Sequence, residues 1–312
     1  MNWRVKGATQ KALSILPGGI RLNLMMQMVL GDLRNLDRQI ALKVRDWALS
    51  MKYLREAGIP LENSRMFEIG SGWYPVLPVC FVLAGARSVA TYDITRHLSE
   101  KGMLRCLDSL VPQIPLIAET AQKTPAFITE KLNALRQKNT LAEMLEQSRI
   151  DYHAPADARR SGLSADSVDI VYSNSVFEHI PREIIREILA ESFRILRPGG
   201  FIMHNVACND HYAHFDKSIS YVNFLRFSEN QWRVWNNRLQ FQNRMRAPEF
   251  LALARDAGFE IAAQHTHVAA GSREALRSFT IAPEFRSFSE SDLATTTIDF
   301  IGRKPAKEWP GQ

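Results

Sequence analysis

No stretch of this sequence approaches the roughly 20 consecutive apolar residues that span a bilayer, so no transmembrane segment is expected. Cysteine is scarce. Cys80, Cys106 and Cys208 lie far apart and share no metal-ligand spacing, which excludes a disulfide framework and a zinc ribbon and suits buried thiols in a reducing, cytoplasmic setting. Internal repeats and low-complexity linkers are missing, so solenoids and disordered arrays are not expected. The opening MNWRVKGATQKALSILPGG has a basic front and a small apolar patch. Gln10 and Lys11 interrupt that patch and no small-residue cleavage signal follows, so a secretion signal is not expected.

What is present is ample material for one large domain with additions: 312 residues, 46% of them apolar. The net charge of +6 admits an anionic substrate, a nucleic acid or an anionic membrane surface, beside the plain reading of a basic exterior. Residues 1–60 read as an N-terminal helical extension. Residues 22–30 are apolar, and Ile40, Val44, Trp47, Met51 and Leu54 then recur at steps of three and four, one helical stripe that Gly58 and Pro60 end.

From residue 65 the pattern becomes an alternation of strands and helices. Strands are expected at 66–69, 88–93, 150–153, 168–173 and 201–206, with two more at 259–265 and 296–301. Helices are expected at 76–83, 184–196 and 248–257, with a turn at Pro198-Gly199-Gly200. Residues 99–148 form a helical insertion that Pro112, Pro115 and Pro125 divide. This order implies an α/β fold with a doubly wound, mostly parallel sheet over 61–305, followed by a tail at 306–312. Ligands in such sheets bind at the carboxyl ends of the strands, where strand order switches.

The stretch EIGSGWYP (68–75) follows the first strand. A dinucleotide site wants G-x-G-x-x-G with free N–H groups at the helix start. Here Pro75 holds the third glycine position and Pro78 follows, which removes two potential phosphate donors. Glu68 stands before the glycines and would repel phosphate. Asp93 ends the second strand, the position that grips ribose hydroxyls, and Asp157 follows the third. Three carboxylates and a Gly-x-Gly loop suit a ligand with an amine, a ribose and an adenine but no phosphate: S-adenosylmethionine.

The ordered set EIGSG (68–72), YD (92–93), PADA (155–158), VDIVYSNSVFEHI (168–180), ILRPGG (195–200), AGFEI (257–261) and TIDFIGRKP (297–305) resembles the class I S-adenosylmethionine-dependent methyltransferases, of a bacterial small-molecule type. The resemblance implies a Rossmann-like seven-stranded fold and an enzyme of EC 2.1.1.-. It departs from the family at Tyr74, where a third glycine is usual. It implies that Gly70 and Gly72 let the backbone approach the cofactor and that Glu68 supports the loop and faces the methionine amine. Asp93 would take the ribose hydroxyls. Asp157 and the N–H of Ala158 would take the adenine, and Ser173 and Asn174 would lie near the methionine part. For each acid the alternative is a helix cap or a surface charge.

The acceptor is less well marked. SNSVFEHI replaces the N/D-P-P-Y/F motif that base-methylating relatives carry, which counts against a nucleic-acid base; the EH pair resembles methyltransferases of the ubiquinone-biosynthesis type. His179 reads as a general base or as a loop-ordering histidine. Residues 209–246 interleave aromatics with arginines. They read as the lining of a pocket for a ring-bearing or sugar acceptor with an anionic group, as a stacking surface for single-stranded nucleic acid, or as a small subdomain with its own core. His211-x-x-His214-x-Asp216 within it reads as acceptor-binding or general-base residues or as loop structure; three ligand types on one loop are too weak a signal for an expected metal. The expected activity is methyl transfer to an oxygen or nitrogen of a small molecule, such as a sugar or secondary-metabolite precursor. An RNA or protein methyltransferase and a non-catalytic cofactor-binding scaffold are the alternatives.

Overall fold

The computed structural model describes residues 2–16, 19 and 35–306; the apolar stretch 22–30 and the tail from 307 lie outside the described residues. Seven strands form one sheet: β1 (Arg65–Ile69), β2 (Ser88–Tyr92), β3 (Ile150–His153), β4 (Val168–Asn174), β5 (Leu196–Ala207), β6 (Glu260–His267) and β7 (Thr297–Arg303). Their spatial order is β3-β2-β1-β4-β5-β7-β6. The first five strands pair in parallel, and β7 enters antiparallel between β5 and β6. The doubly wound, Rossmann-like sheet expected from the alternation is therefore what forms.

The central strands read as near-continuous apolar runs because both sheet faces are covered. Successive side chains alternate between two cores. Met66, Ile170, Tyr172 and Met203 join one, while Phe67, Ile69, Val171 and Ile202 join the other. Chain order turns back at β1, which lies between β2 and β4. That reversal opens a crevice at the strands' carboxyl ends.

The helices are α1 (Trp3–Ile15), α2 (Leu36–Glu56), α3 (Val76–Leu83), α4 (Glu100–Leu110), α5 (Ile114–Ala121), α6 (Pro125–Arg136), α7 (Leu141–Gln147), α8 (Arg182–Ile195) and α9 (Ala247–Asp256), with short helical turns between them. Helix α2 begins at an Asn35 cap that accepts from Arg38 N and stops at Gly58, whose φ is +68°. Its stripe Ile40, Val44, Trp47, Met51 and Leu54 is buried in the first core, against α3 and the insertion helices α4–α7. The prolines divide that insertion as read: Pro112 and Pro115 separate α4 from α5, and Pro125 opens α6.

One boundary differs from its sequence reading. The segment Pro198-Gly199-Gly200, read as a turn, lies within β5, which starts at Leu196. Val168 pairs with Leu196 and Ile170 already with Phe201, so a bulge with Gly199 at φ +77° absorbs the turn without ending the strand.

Residues 209–246 build a third core. Tyr212, Phe224 and Trp232 pack with Trp3 of α1 and with Leu276, Phe285 and Leu293. Arg246, fully buried, donates to the carbonyls of Cys208, Asp292, Leu293 and Thr295. Arg244 donates to the carbonyls of Phe224 and Phe227 and pairs with Glu229. Of the three readings of this segment, the self-packing subdomain is the one these contacts support: Tyr212, Phe224 and Trp232 are taken up by that core, and Arg244 and Arg246 tie backbone carbonyls together. All three cysteines are free thiols and buried.

Candidate active site

A cleft of about 660 Å³ opens where β1, β2 and β4 end, roofed on one side by α2. Its floor is the loop after β1. Gly70 has φ +83° and donates its N–H to the Tyr92 carbonyl at 2.8 Å. A Cβ on Gly70 would stand 2.6 Å from a Val176 methyl, so both the backbone angle and the space demand glycine. Gly72, at φ +62°, donates to Asp93 Oδ2 at 3.0 Å, and a Cβ there would enter open space. The loop thus turns with its bare backbone against the cleft.

The carboxylates sit around it. Glu68 is 5% exposed; burial pushes its pKa up to about 7, against the lowering effect of Thr91, whose hydroxyl donates to Oε2. The Tyr172 hydroxyl faces the same carboxylate without closing a hydrogen bond. Thr91 also meets the Ser71 hydroxyl at 2.7 Å, so Glu68, Thr91 and Ser71 pin the loop to β2. Asp93 accepts from Gly72 N–H through one oxygen and from Thr95 N–H, at 2.9 Å, through the other. Each oxygen keeps a second lone pair for a ligand. Asp157 is held in a fork by Arg159, with nitrogen–oxygen distances of 2.7 to 3.0 Å, and that bonding keeps its carboxyl below the usual range.

Glu68, Gly70, Gly72, Asp93, Asp157, Ala158, Asn174 and His179 all border this one cleft. Ser173 does not belong with them. Its hydroxyl lies 2.7 Å from His204 Nδ1, and both side chains are buried in the sheet. Strand alternation explains this, since Ser173 and Asn174 must point to opposite faces.

His179 ends a short 3₁₀ turn (Phe177–His179) after β4 and is exposed at the cleft wall. Its Nδ1 lies 2.9 Å from the Phe241 carbonyl. A carbonyl only accepts, so Nδ1 carries a proton in this contact, and Nε2 is the ring nitrogen left for another partner. The His211 ring packs edge-on against His179 with centroids 4.9 Å apart. Burial, then the charges of His179, His214 and Lys6, depress the His211 pKa to about 3, so it is neutral at physiological pH. His214 lies farther off, exposed, with its ring against His211 and Tyr221. Neither His211 nor His214 borders the cleft. Asp216 does not join them: it accepts from Trp3 N at 2.9 Å and from the Ser218 amide and hydroxyl, fixing the start of α1. The His211/His214/Asp216 cluster of the sequence is therefore not assembled.

The α2 side of the cleft was not read from the sequence. Lys43, from α2, donates to Asn174 Oδ1 and borders the cleft beside Glu68. The signal was available: Gln39, Lys43 and Asp46 follow one another at helical spacing beside the apolar stripe. Asp46 lies next in that row; burial raises its pKa, against Lys43 and Asn174.

A family model described as a methyltransferase domain matches residues 37–264. No curated protein sequence matches the chain significantly. Similar solved structures include an S-adenosylmethionine-dependent methyltransferase from Mesorhizobium loti (17% identical, covering 81% of this chain and 96% of that one, TM-score 0.44). A methyltransferase from Methanosarcina mazei is 16% identical, covering 79% and 94%, with a TM-score of 0.41. A phosphoethanolamine N-methyltransferase from Haemonchus contortus, solved with phosphomonomethylethanolamine and S-adenosylhomocysteine, is 15% identical, covering 83% and 53%, with a TM-score of 0.46. With the family model spanning most of its length, the chain belongs to the class I S-adenosylmethionine-dependent methyltransferases.

Proposed function

We propose that this enzyme methylates an oxygen or nitrogen of a small-molecule acceptor. The observation that carries the proposal is the charge pattern of the cleft: three carboxylates and one lysine around a bare glycine loop, with prolines where a phosphate-binding helix start would offer N–H groups. S-adenosylmethionine supplies a methyl group on a sulfonium, an electrophilic carbon that needs no further activation. Glu68 and Lys43, of opposite charge at the β1–α2 side of the cleft, suit the amine and carboxylate of its methionine part. Asp93 suits the ribose hydroxyls, and Asp157 with Ala158 the adenine edge, the Arg159 fork holding Asp157 ionised for that task.

The chain's own work is then positioning and exclusion of water. A cleft of this volume is in the range that holds small ligands. The helix α2 roof, through Gln39, Ile40 and Lys43, supports a compact acceptor over a polymer threaded through the site. The side chain at the acceptor end of the cleft is His179. Incubating the enzyme and S-adenosylmethionine with cell extract, and searching by mass spectrometry for products heavier by one methyl group, tests the class. A labelled metabolite supports it; label found only in RNA or protein overturns it.

A further inference from the structure

Glu178 precedes His179 in the turn after β4 and is 1% exposed. Among the described residues neither of its carboxylate oxygens closes a hydrogen bond, and only the backbone amides of Glu178 itself and Ala207 face the group. A buried carboxylate normally has hydrogen bonds or a counter-charge to replace its lost water. Lys43 is near enough to act on its charge, but the ammonium of Lys43 is held by Asn174. What does stand beside Glu178 is a pair of imidazoles. One carboxylate oxygen of Glu178 and one nitrogen each of His179 and His211 all lie within 4.8 Å of one another.

We propose that Glu178, His179 and His211 bind a divalent transition-metal cation. Two imidazoles and a carboxylate are a three-ligand set that Zn²⁺, Fe²⁺ and related ions accept, with coordination positions left open. Ligand atoms about 2.0–2.2 Å from one ion stand at most about 4.4 Å apart, so a small side-chain movement closes the set. The shell around it is already built. The Phe241 carbonyl orients the His179 ring, as an outer partner orients a metal-bound histidine. The half-buried His211 ring is fixed between His179 and His214.

His179 also borders the cleft, so a cation held by it would stand beside the acceptor end. Its task there rests on the methyl-transfer reading: it holds an acceptor oxygen. A hydroxyl so bound releases its proton to solvent, the oxygen forms the new bond to the methyl carbon, and the carbon–sulfur bond breaks to leave S-adenosylhomocysteine. The acceptor class is thereby narrowed to compounds with a metal-binding hydroxyl.

The test uses the full chain, stripped with a chelator and titrated calorimetrically with Zn²⁺ alone, then with Co²⁺ while its visible absorption is recorded. One equivalent is expected to bind. Glu178→Gln and His211→Ala each weaken that binding roughly tenfold or more and abolish the cobalt spectrum, while His214→Ala binds as wild type. Zn²⁺ raises the melting temperature of wild type but not of Glu178→Gln. Absence of saturable uptake, uptake unchanged in Glu178→Gln and His211→Ala, or uptake lost only in His214→Ala overturns the proposal. S-adenosylhomocysteine is titrated into the same samples. Its binding shows that each variant is folded, and binding without metal uptake refutes the metal site while the methyltransferase reading stands.

Discussion

Glu68 is where sequence position, burial and titration meet in one residue. Its folded pKa is raised from the ordinary 4.5 to about 7 by burial. Between those values the folded chain holds a proton that the unfolded chain has released, so this group makes stability fall as pH rises through the window. Urea unfolding across pH 4.5–7.5 should show that decline in wild type and a flatter profile in Glu68→Gln; equal slopes would remove the burial argument. Asp93 acts on the loop and, in our proposal, on the ligand. Asp93→Ala should weaken S-adenosylhomocysteine binding by about 1–3 kcal/mol, read by calorimetry, since it takes the partner from Gly72 N–H and the acceptor from the ribose. At Gly70 the same substitution acts through sterics: strain at positive φ and the Val176 contact should lower the melting temperature of Gly70→Ala. These positions were legible because an acid at a strand end and a glycine before a helix carry their own reasons. Ser173 was misread because adjacency in sequence puts neighbours in a strand on opposite faces, and only pairing decides which face meets the cleft. Lys43 escaped because its role comes from where α2 crosses the sheet.

At the level of elements, α2 does more than cover the first core. Its apolar stripe anchors it to α3 while Gln39 and Lys43 reach the cleft from the adjoining face. Lys43→Met should leave the fold intact and weaken S-adenosylhomocysteine while leaving 5′-methylthioadenosine, which lacks the methionine carboxylate, bound as before. Equal losses for both ligands would assign Lys43 to packing. The 209–246 segment shows the limit of composition. Interleaved aromatics and arginines describe a ligand surface and a stacked interior equally well, and only three-dimensional contact separates them. Here Arg246 ties the segment to the residues before β7 through the carbonyls of Asp292, Leu293 and Thr295, and to the end of β5 through that of Cys208. Arg246→Met leaves those acceptors without their donor and should cost about 1–3 kcal/mol in denaturant unfolding. The pairing of Glu178 and His179 with His211 is likewise invisible in sequence, because more than thirty residues and one strand separate them.

Across the whole molecule, the fold was the most legible layer. Runs of apolar residues bounded by turn signals mark parallel strands covered on both faces, and the order of motifs along the chain fixes which strand carries which part of the site. The antiparallel insertion of β7 and the bulge in β5 were not legible, since they depend on pairing partners distant in sequence. Among the described residues no helix is long and apolar enough to cross a membrane. The measurement that bears most directly on the whole is a calorimetric titration of the purified chain with S-adenosylhomocysteine, with NAD as the control ligand. One saturable site for the nucleoside, weakened in Asp93→Ala and with no comparable affinity for NAD, is the expected result. No heat of binding, or tighter binding of NAD, would contradict a cleft built for a nucleoside without phosphates.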